Sequence, residues 1–352
     1  VTAGVGLRAI GAASRVYAKL VAESTVVTAL SPARPRRHVG YEFDAIVDGI
    51  ADEAVDVKSF LLRRTENRPL PTWLPGAHID VTTPSGALRQ YSLAGRPDGG
   101  AHYRIAVRRI LGGSVSEEMH NLSGGEVLRI RGPRNAFPLA RARRYFFVAA
   151  GIGITPIRAM IERAAEDGAE WSLYYRGRTR ESLPFLAELE QLAQRSDSRI
   201  IVETDDVDGL ASAADIVGYA REGSAMYVCG PAPLSSALRG EAMRQGNVRE
   251  FHTELFTPAA VVDGMPFTMH LSRSGETVAV GAQETALAAL RRTRPDQPYS
   301  CRQGFCGACV VGLVAGRVEH RDRVLGDEDR NSSIAICVSR AAADGDVLVL
   351  DL

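Results

Sequence analysis

Four of the chain's five cysteines crowd into its C-terminal end: Cys301, Cys306 and Cys309 on one short stretch, and Cys337 further on. The spacing Cys-x4-Cys-x2-Cys with a distant fourth thiol is that by which four thiolates hold a [2Fe–2S] cluster. The sulfides of such a cluster accept hydrogen bonds from backbone N–H groups, so the loop must wrap tightly. Gly304, Gly307 and Ala308 supply the small residues this requires. A zinc site would pair its ligands as two close couples, whereas here three thiols share a loop and one stands alone. Such a cluster carries one electron at a time. Cys229 lies outside the pattern and is not a ligand.

Upstream, Gly151-Ile152-Gly153-Ile154-Thr155-Pro156 follows the apolar run Tyr145–Ala150 and opens a helical pattern. Glycines at the end of a buried strand let a pyrophosphate approach the backbone, and the helix start offers aligned N–H donors. The third glycine of the dinucleotide fingerprint is missing, so a tight strand–helix turn is the competing reading. Cys229-Gly230-Pro231 ends another such strand, at the carboxyl edge where open α/β sheets bind ligands. A thiol there is either a small buried hydrophobe or a nicotinamide contact.

Earlier still, Arg89-Gln90-Tyr91-Ser92-Leu93 places Arg89, Tyr91 and Leu93 on one strand face and Ser92 on the other. By itself this is also an ordinary amphipathic strand. Gly112-Gly113-Ser114-Val115-Ser116, before a short helix, has the makings of a phosphate cradle.

Periodicity shows which strands and helices carry these groups. Residues 41–140 read as short strands, at Glu42–Val47, Val55–Arg63, His78–Thr82, Leu88–Leu93, Tyr103–Arg109 and Val127–Arg131, with one helix at Ser116–Asn121. That pattern predicts a closed antiparallel β-barrel. Over 141–257 the strands Tyr145–Ala150, Ser172–Tyr175, Arg199–Glu203, Ala225–Cys229 and Val248–His252 alternate with helices at Ile157–Ala165, Phe185–Ala193, Ala211–Tyr219 and Leu234–Arg244. Such alternation predicts an α/β domain on a parallel sheet. Thr257–Pro266 reads as a linker. In 266–352, Phe267–Leu271 and Thr277–Val280 read as a hairpin and Thr285–Arg292 as a helix, ahead of the cysteine loop.

Formal net charge is zero, so no overall field favours nucleic acid. No apolar run reaches the roughly 18 residues of an integral membrane span. An odd, clustered cysteine count argues against a secreted disulfide scaffold, and residues 1–24 lack the form of a secretory signal. A cytoplasmic location is expected. Residues 1–40 carry Arg8, Arg15, Lys19, Arg34, Arg36 and Arg37 against Glu23 alone, with apolar residues near helical spacing. They read as a basic extension, packed on the body or loose, or else contacting a partner or membrane surface.

Taken in order, these motifs resemble the phthalate dioxygenase reductase family, within the ferredoxin–NADP reductase superfamily, over residues from about 41 to 352. The resemblance implies three folded parts: a flavin-binding barrel (41–140), an NAD(P)H-binding domain (141–257) and a C-terminal β-grasp plant-type ferredoxin domain (266–352). It implies that Tyr91 lies against the flavin ring, that Ser92 bonds near its N5 and that Arg89 helps hold its phosphate. It adds Gln90, Leu93, Val107 and Arg108 to the flavin site and makes Gly112, Gly113 and Ser114 the phosphate turn. Gly132–Leu139 resembles the segment that closes the barrel. Gly151, Gly153, Thr155 and Pro156 match the nicotinamide-dinucleotide loop. Cys229, Gly230 and Pro231 match the strand end beside the nicotinamide. Glu254 and Phe256 resemble the acidic and aromatic pair near the flavin. Ser92, Thr155, Cys229 and Glu254 are thus the expected catalytic set. The domain order implies FMN in preference to FAD. Arg176, Arg178 and Arg180 stand where a nucleotide ribose is expected; Arg178 is the cofactor-binding candidate. Arginines there suit a 2′-phosphate, yet NADH is the family's usual donor.

The implied activity is electron transfer from NADH or NADPH, through flavin and the [2Fe–2S] cluster, to a terminal oxygenase of Rieske non-haem iron or haem type. A flavin accepts two electrons together and releases them singly, which neither neighbour in the chain of carriers does; the cofactors carry that chemistry and the protein positions them. No Rieske Cys-x-His pair or haem-thiolate signature is present, so a reductase component is expected. Direct reduction of small acceptors, or a redox-sensing role without turnover, are the alternatives.

Overall fold

The computed structural model describes residues 41–352 apart from 67, 98–99, 197, 257–260, 296, 300–301 and 305–306. The basic extension, Cys301, Cys306 and the first part of the expected linker lie outside the described residues.

An antiparallel sheet opens the described chain, formed by β1 (Glu42–Ala54), β2 (Val57–Arg64), β3 (Ala77–Thr82), β4 (Leu88–Ser92), β5 (Tyr103–Arg108) and β6 (Val127–Asn135). Its order is β4-β3-β6-β1-β2-β5. Alternation puts Phe43, Ala45 and Val47 inside, with Phe60, Leu62, Ile79, Ile105 and Ile130. β1 runs seven residues beyond the expected Val47. The stretch 48–54 looks like loop by composition but is one arm of a hairpin with β2, irregular between Val47 and Gly49 and between Asp52 and Ala54. Val55, expected in a strand, sits in the turn beside Asp56, which takes a left-handed φ of 59°.

The sheet curls until β4 and β5 meet. They are joined by the Ala94 N–H bond to Arg104 O at 2.8 Å and not by a ladder. The barrel's seam therefore splays over most of β4 and β5. Helix α1 (Ser114–Asn121) lies beside it with Val115 and Met119 buried.

The second sheet is parallel, in the order β11-β10-β7-β8-β9, from β7 (Arg144–Ala150), β8 (Glu170–Gly177), β9 (Arg199–Thr204), β10 (Ser224–Cys229) and β11 (Val248–Glu254). Its helices are α2 (Ile154–Glu166), α3 (Leu186–Arg195), α4 (Ala213–Gly218) and α5 (Ala232–Gln245). The central strands β7 and β10 are almost wholly buried, as strands covered on both faces must be. The strand order reverses between them, so the ends Ala150 and Cys229 flank the switch point where such sheets bind ligands.

Arg158 on α2 ties this sheet to the barrel. Its guanidinium bonds Ala94 O and pairs with Glu188 at 2.6 Å, and Glu188 pairs with Arg104 of β5 at 3.0 Å. Both guanidiniums lie over the Phe185 ring, at 4.6 Å for Arg104 and 5.4 Å for Arg158. Burial of the Arg158 guanidinium is tolerated because its charge is matched.

The C-terminal part has the sheet order β13-β12-β18-β14-β16, from β12 (Phe267–Leu271), β13 (Thr277–Val280), β14 (Val310–Ala315), β16 (Ser333–Ala335) and β18 (Val347–Leu350). A separate small ladder joins β15 (Val318–Glu319) to β17 (Arg340–Ala341). β12 and β18 are parallel neighbours, while β12 and β13 form the expected hairpin. Helix α6 (Ala286–Thr293) buries Ala286, Leu287, Ala289 and Leu290 against this sheet. This is a β-grasp arrangement.

Candidate functional site

The splayed seam between β4 and β5 is one wall of a cavity of about 570 Å³. Arg89, Gln90, Tyr91 and Ser92 face it from β4, and Ala106, Val107 and Arg108 from β5. Residues on opposite faces of β4 reach the same space because that space lies along the strand's free edge. The Gly112–Ser116 segment lines it as well. Gly112 takes φ of 73°, and no side chain caps the start of α1, which leaves that helix end suited to an anion. The Gly112 N–H donates to Glu117 Oε1 at 2.9 Å.

Ile152 and Thr155 reach the cavity from the turn after β7. Gly151–Gly153 forms a 3-10 turn that runs straight into α2, so the helix begins three residues before the expected Ile157. The Thr155 hydroxyl donates to Ile152 O at 3.0 Å and fixes this corner. Gly153 lies against the end of β10: a Cβ there would sit 2.2 Å from Cys229 O. Gly230 packs on Ala150 in the same way, its Cβ position lying 3.0 Å from the alanine methyl.

Glu254, Leu255 and Phe256, at the end of β11, form the opposite wall. Glu254 Oε2 is buried and makes no hydrogen bond, and burial pushes this carboxyl up to about 8. Beside it Cys229 is wholly buried, and burial with the Glu254 charge pushes its thiol well above the usual range, so it stays protonated. Tyr91 is likewise pushed up to about 12 by burial and remains a neutral phenol.

Arg302 and Gln303 complete the cavity from the cysteine loop. The Gln303 amide donates to Leu255 O, bolting that loop to the cavity wall. Gly304 takes φ of 80°, and a Cβ there would meet Val338 at 2.7 Å and Asp322 at 3.0 Å, as the tight wrap anticipated from sequence requires. Cys309 and Cys337 are both buried in the core of this part. Cys309 on this small-residued loop and Cys337 beyond β16, buried in one core, fit an iron–sulfur cluster, and an orphaned carboxyl beside the Tyr91 cavity fits a flavin ring.

Arg89, Gln90, Tyr91, Ser92, Val107, Arg108, Gly112, Gly113, Ser114, Thr155, Glu254 and Phe256 are thus gathered around one space. Leu93 is not; β4 ends at Ser92 and the Leu93 side chain is buried in the barrel core. Gly151, Gly153, Pro156, Cys229, Gly230 and Pro231 lie at the adjoining sheet edge, with the Gly151 Cβ position 3.7 Å from Arg108 Nη1. Arg178 is exposed on the turn after β8, while Arg176 is paired with Asp205 and Arg180 with Glu190.

Sequence reasoning missed His78, Arg302 and Gln303. His78 is the cross-strand partner of Ser92; burial, then the Arg134 charge, pushes it down to about 4, with Asp80 opposing, so it is neutral. A lone histidine at a strand start carries no signal of this. Gln303 had its place among the cysteines as a hint, but only folding brings that loop to the flavin side.

Residues 44–138 match the oxidoreductase FAD-binding domain family, 147–239 the oxidoreductase NAD-binding domain family and 269–342 the 2Fe-2S iron-sulfur cluster binding domain family. The phthalate dioxygenase reductase of Burkholderia cepacia is 35% identical over 308 residues, 85% of this chain and 94% of its own. A solved phthalate dioxygenase reductase, described as a modular structure for electron transfer from pyridine nucleotides to [2Fe–2S], superposes with a TM-score of 0.63. It is 33% identical, over 88% of this chain and 98% of that one. An intact type IV self-sufficient cytochrome P450 monooxygenase superposes with a TM-score of 0.68 at 35% identity, over 88% of this chain. This chain spans only 41% of that protein.

Proposed function

We propose, for a chain that belongs to the phthalate dioxygenase reductase family, that it is the reductase component of an oxygenase system, drawing electrons from a nicotinamide dinucleotide and delivering them to a terminal oxygenase. The observation that carries this reading is the single cavity walled by barrel strands, by the nucleotide-side turn at Thr155 and by the cysteine loop at Gln303. A flavin bound there supplies the conversion of two-electron into one-electron transfer. Everything else is positioning by the protein.

Tyr91 offers an apolar ring face, and Ser92 a hydroxyl, along the open edge of β4. Arg89, Arg108 and the Gly112–Ser114 turn receive the phosphate. FMN is the flavin we favour, on the order of the flavin-binding, nucleotide-binding and ferredoxin parts. Gly151, Gly153 and Gly230 keep the switch point free of side chains, so that a nicotinamide reaches the cavity between Thr155 and Cys229. Neutral Glu254 is held ready to hydrogen-bond there without repelling an anionic cofactor. Cys301, Cys306, Cys309 and Cys337 ligate the cluster.

NADH is the donor we favour. Arg176 and Arg180 already spend their charge on Asp205 and Glu190, leaving Arg178 alone to meet a 2′-phosphate. The acceptor is a Rieske or haem oxygenase. No described helix is long and apolar enough to cross a membrane; thiolate cluster ligands suit the reducing cytoplasm. Anaerobic titration with NADH and NADPH, watching flavin and cluster bands, tests the reading. Sequential bleaching of both is expected, and a flavin that neither nucleotide reduces would overturn it. Chromatography of the released flavin distinguishes FMN from FAD.

A further inference from the structure

A second cleft, of about 470 Å³, lies where barrel, parallel sheet and β-grasp part meet, away from the Tyr91 cavity and separated from it by Gln303 and Leu255, which line both. Its floor is apolar, from Phe137, Phe251 and Val338, and its rim holds three arginines. Arg321 is matched by Glu319 at 2.7 Å. Arg239 on α5 and Arg323 of the β-grasp part are not: among the described residues neither forms an ion pair. Burial, and then the charge of Arg323, pushes the Arg239 guanidinium down. Arg239 is held in place over the Phe251 ring at 4.6 Å. Thr253, on the same wall, buries a hydroxyl that makes no hydrogen bond.

Two cations without a counter-charge and an apolar floor share one concavity of small-molecule size. We infer that this cleft binds a small organic acid, its carboxylate bridging Arg239 and Arg323 and its apolar body on Phe137 and Phe251. The carboxylate is the charge that this junction lacks, since guanidiniums bind carboxylates by charge-assisted hydrogen bonds. The apolar floor separates such a ligand from inorganic anions, which would leave it wet. Cys337 lies on the wall, so a bound acid sits beside the cluster. The site is independent of which oxygenase takes the electrons.

The test is isothermal titration of the full chain, cofactors bound, at low ionic strength, with benzoate and then inorganic phosphate. Saturable benzoate binding is expected, with phosphate weaker. Arg323→Gln, a change at an exposed side chain, should weaken benzoate at least about tenfold. Arg323→Glu should abolish binding and raise the thermal midpoint in anion-free buffer, because it sets a carboxylate in the cleft with Arg239. Absence of saturable binding, binding unchanged in Arg323→Gln, a lowered midpoint in Arg323→Glu, or phosphate binding as tightly as benzoate would each overturn the assignment.

Discussion

Gly153 and Cys229 touch through their backbones: the α-hydrogen side of Gly153 faces the Cys229 carbonyl, and a methyl there would come within 2.2 Å of that oxygen. The turn after β7 and the end of β10 are thereby drawn together at the switch point. Gly153→Ala must push them apart, at a cost of about 1–3 kcal/mol in stability by overpacking. Chemical denaturation should register that loss, and KM for NADH should rise more than kcat falls. A variant with unchanged stability and KM would show that the contact does not shape the nucleotide site.

Glu254 bears on pH. Its folded pKa, about 8, lies above its ordinary 4.5, so the folded protein holds a proton that the unfolded chain gives up. Stability from this group is complete below about 4.5 and is lost as pH rises through 8. Glu254→Gln should flatten that decline. The rate of flavin reduction by NADH should fall above about pH 8 in the parent, and the glutamine variant should lack that limb.

His78 has the opposite sign. Its folded pKa of about 4 lies below its ordinary 6.5, so stability is lost as pH falls from 6.5 through 4. Denaturant midpoints measured across that range should drop in the parent and stay level in His78→Gln. The Glu254 effect runs the other way over part of the range, so the two variants have to be compared singly and together.

Gln303 links the cysteine loop to Leu255. Gln303→Ala should leave flavin bleaching by NADH unaltered and slow cluster bleaching on the order of tenfold, the scale of a small misplacement of reacting groups. Anaerobic rapid mixing resolves the two phases. Equal slowing of both would mean that the glutamine supports the whole cavity and not the transfer between its two sides.

The proposed preference for NADH turns on Arg178. Arg178→Ala should lower whatever rate NADPH supports and leave NADH nearly untouched, because only the former carries a charge for it. Steady-state rates with both nucleotides measure this.

The cluster domain was readable from the residues alone, since three thiols at fixed spacing, with a fourth further on, form a pattern along the chain. The sequence also implied the parallel sheet, because alternating apolar runs such as Tyr145–Ala150 must be covered on both faces. It marked Arg89–Ser92 and Gly112–Ser114 as groups worth bringing together. It misjudged the length of β1, where hairpin pairing outweighed a loop-like composition, and counted Leu93 among residues that meet the cavity. Folding alone revealed that β4 and β5 leave a splayed seam, that His78 stands opposite Ser92, and that Gln303 reaches Leu255. It likewise brought Arg239 of one part and Arg323 of another to one cleft. Those relations join residues far apart in the chain through burial and packing, and periodicity over a short window contains no term for them.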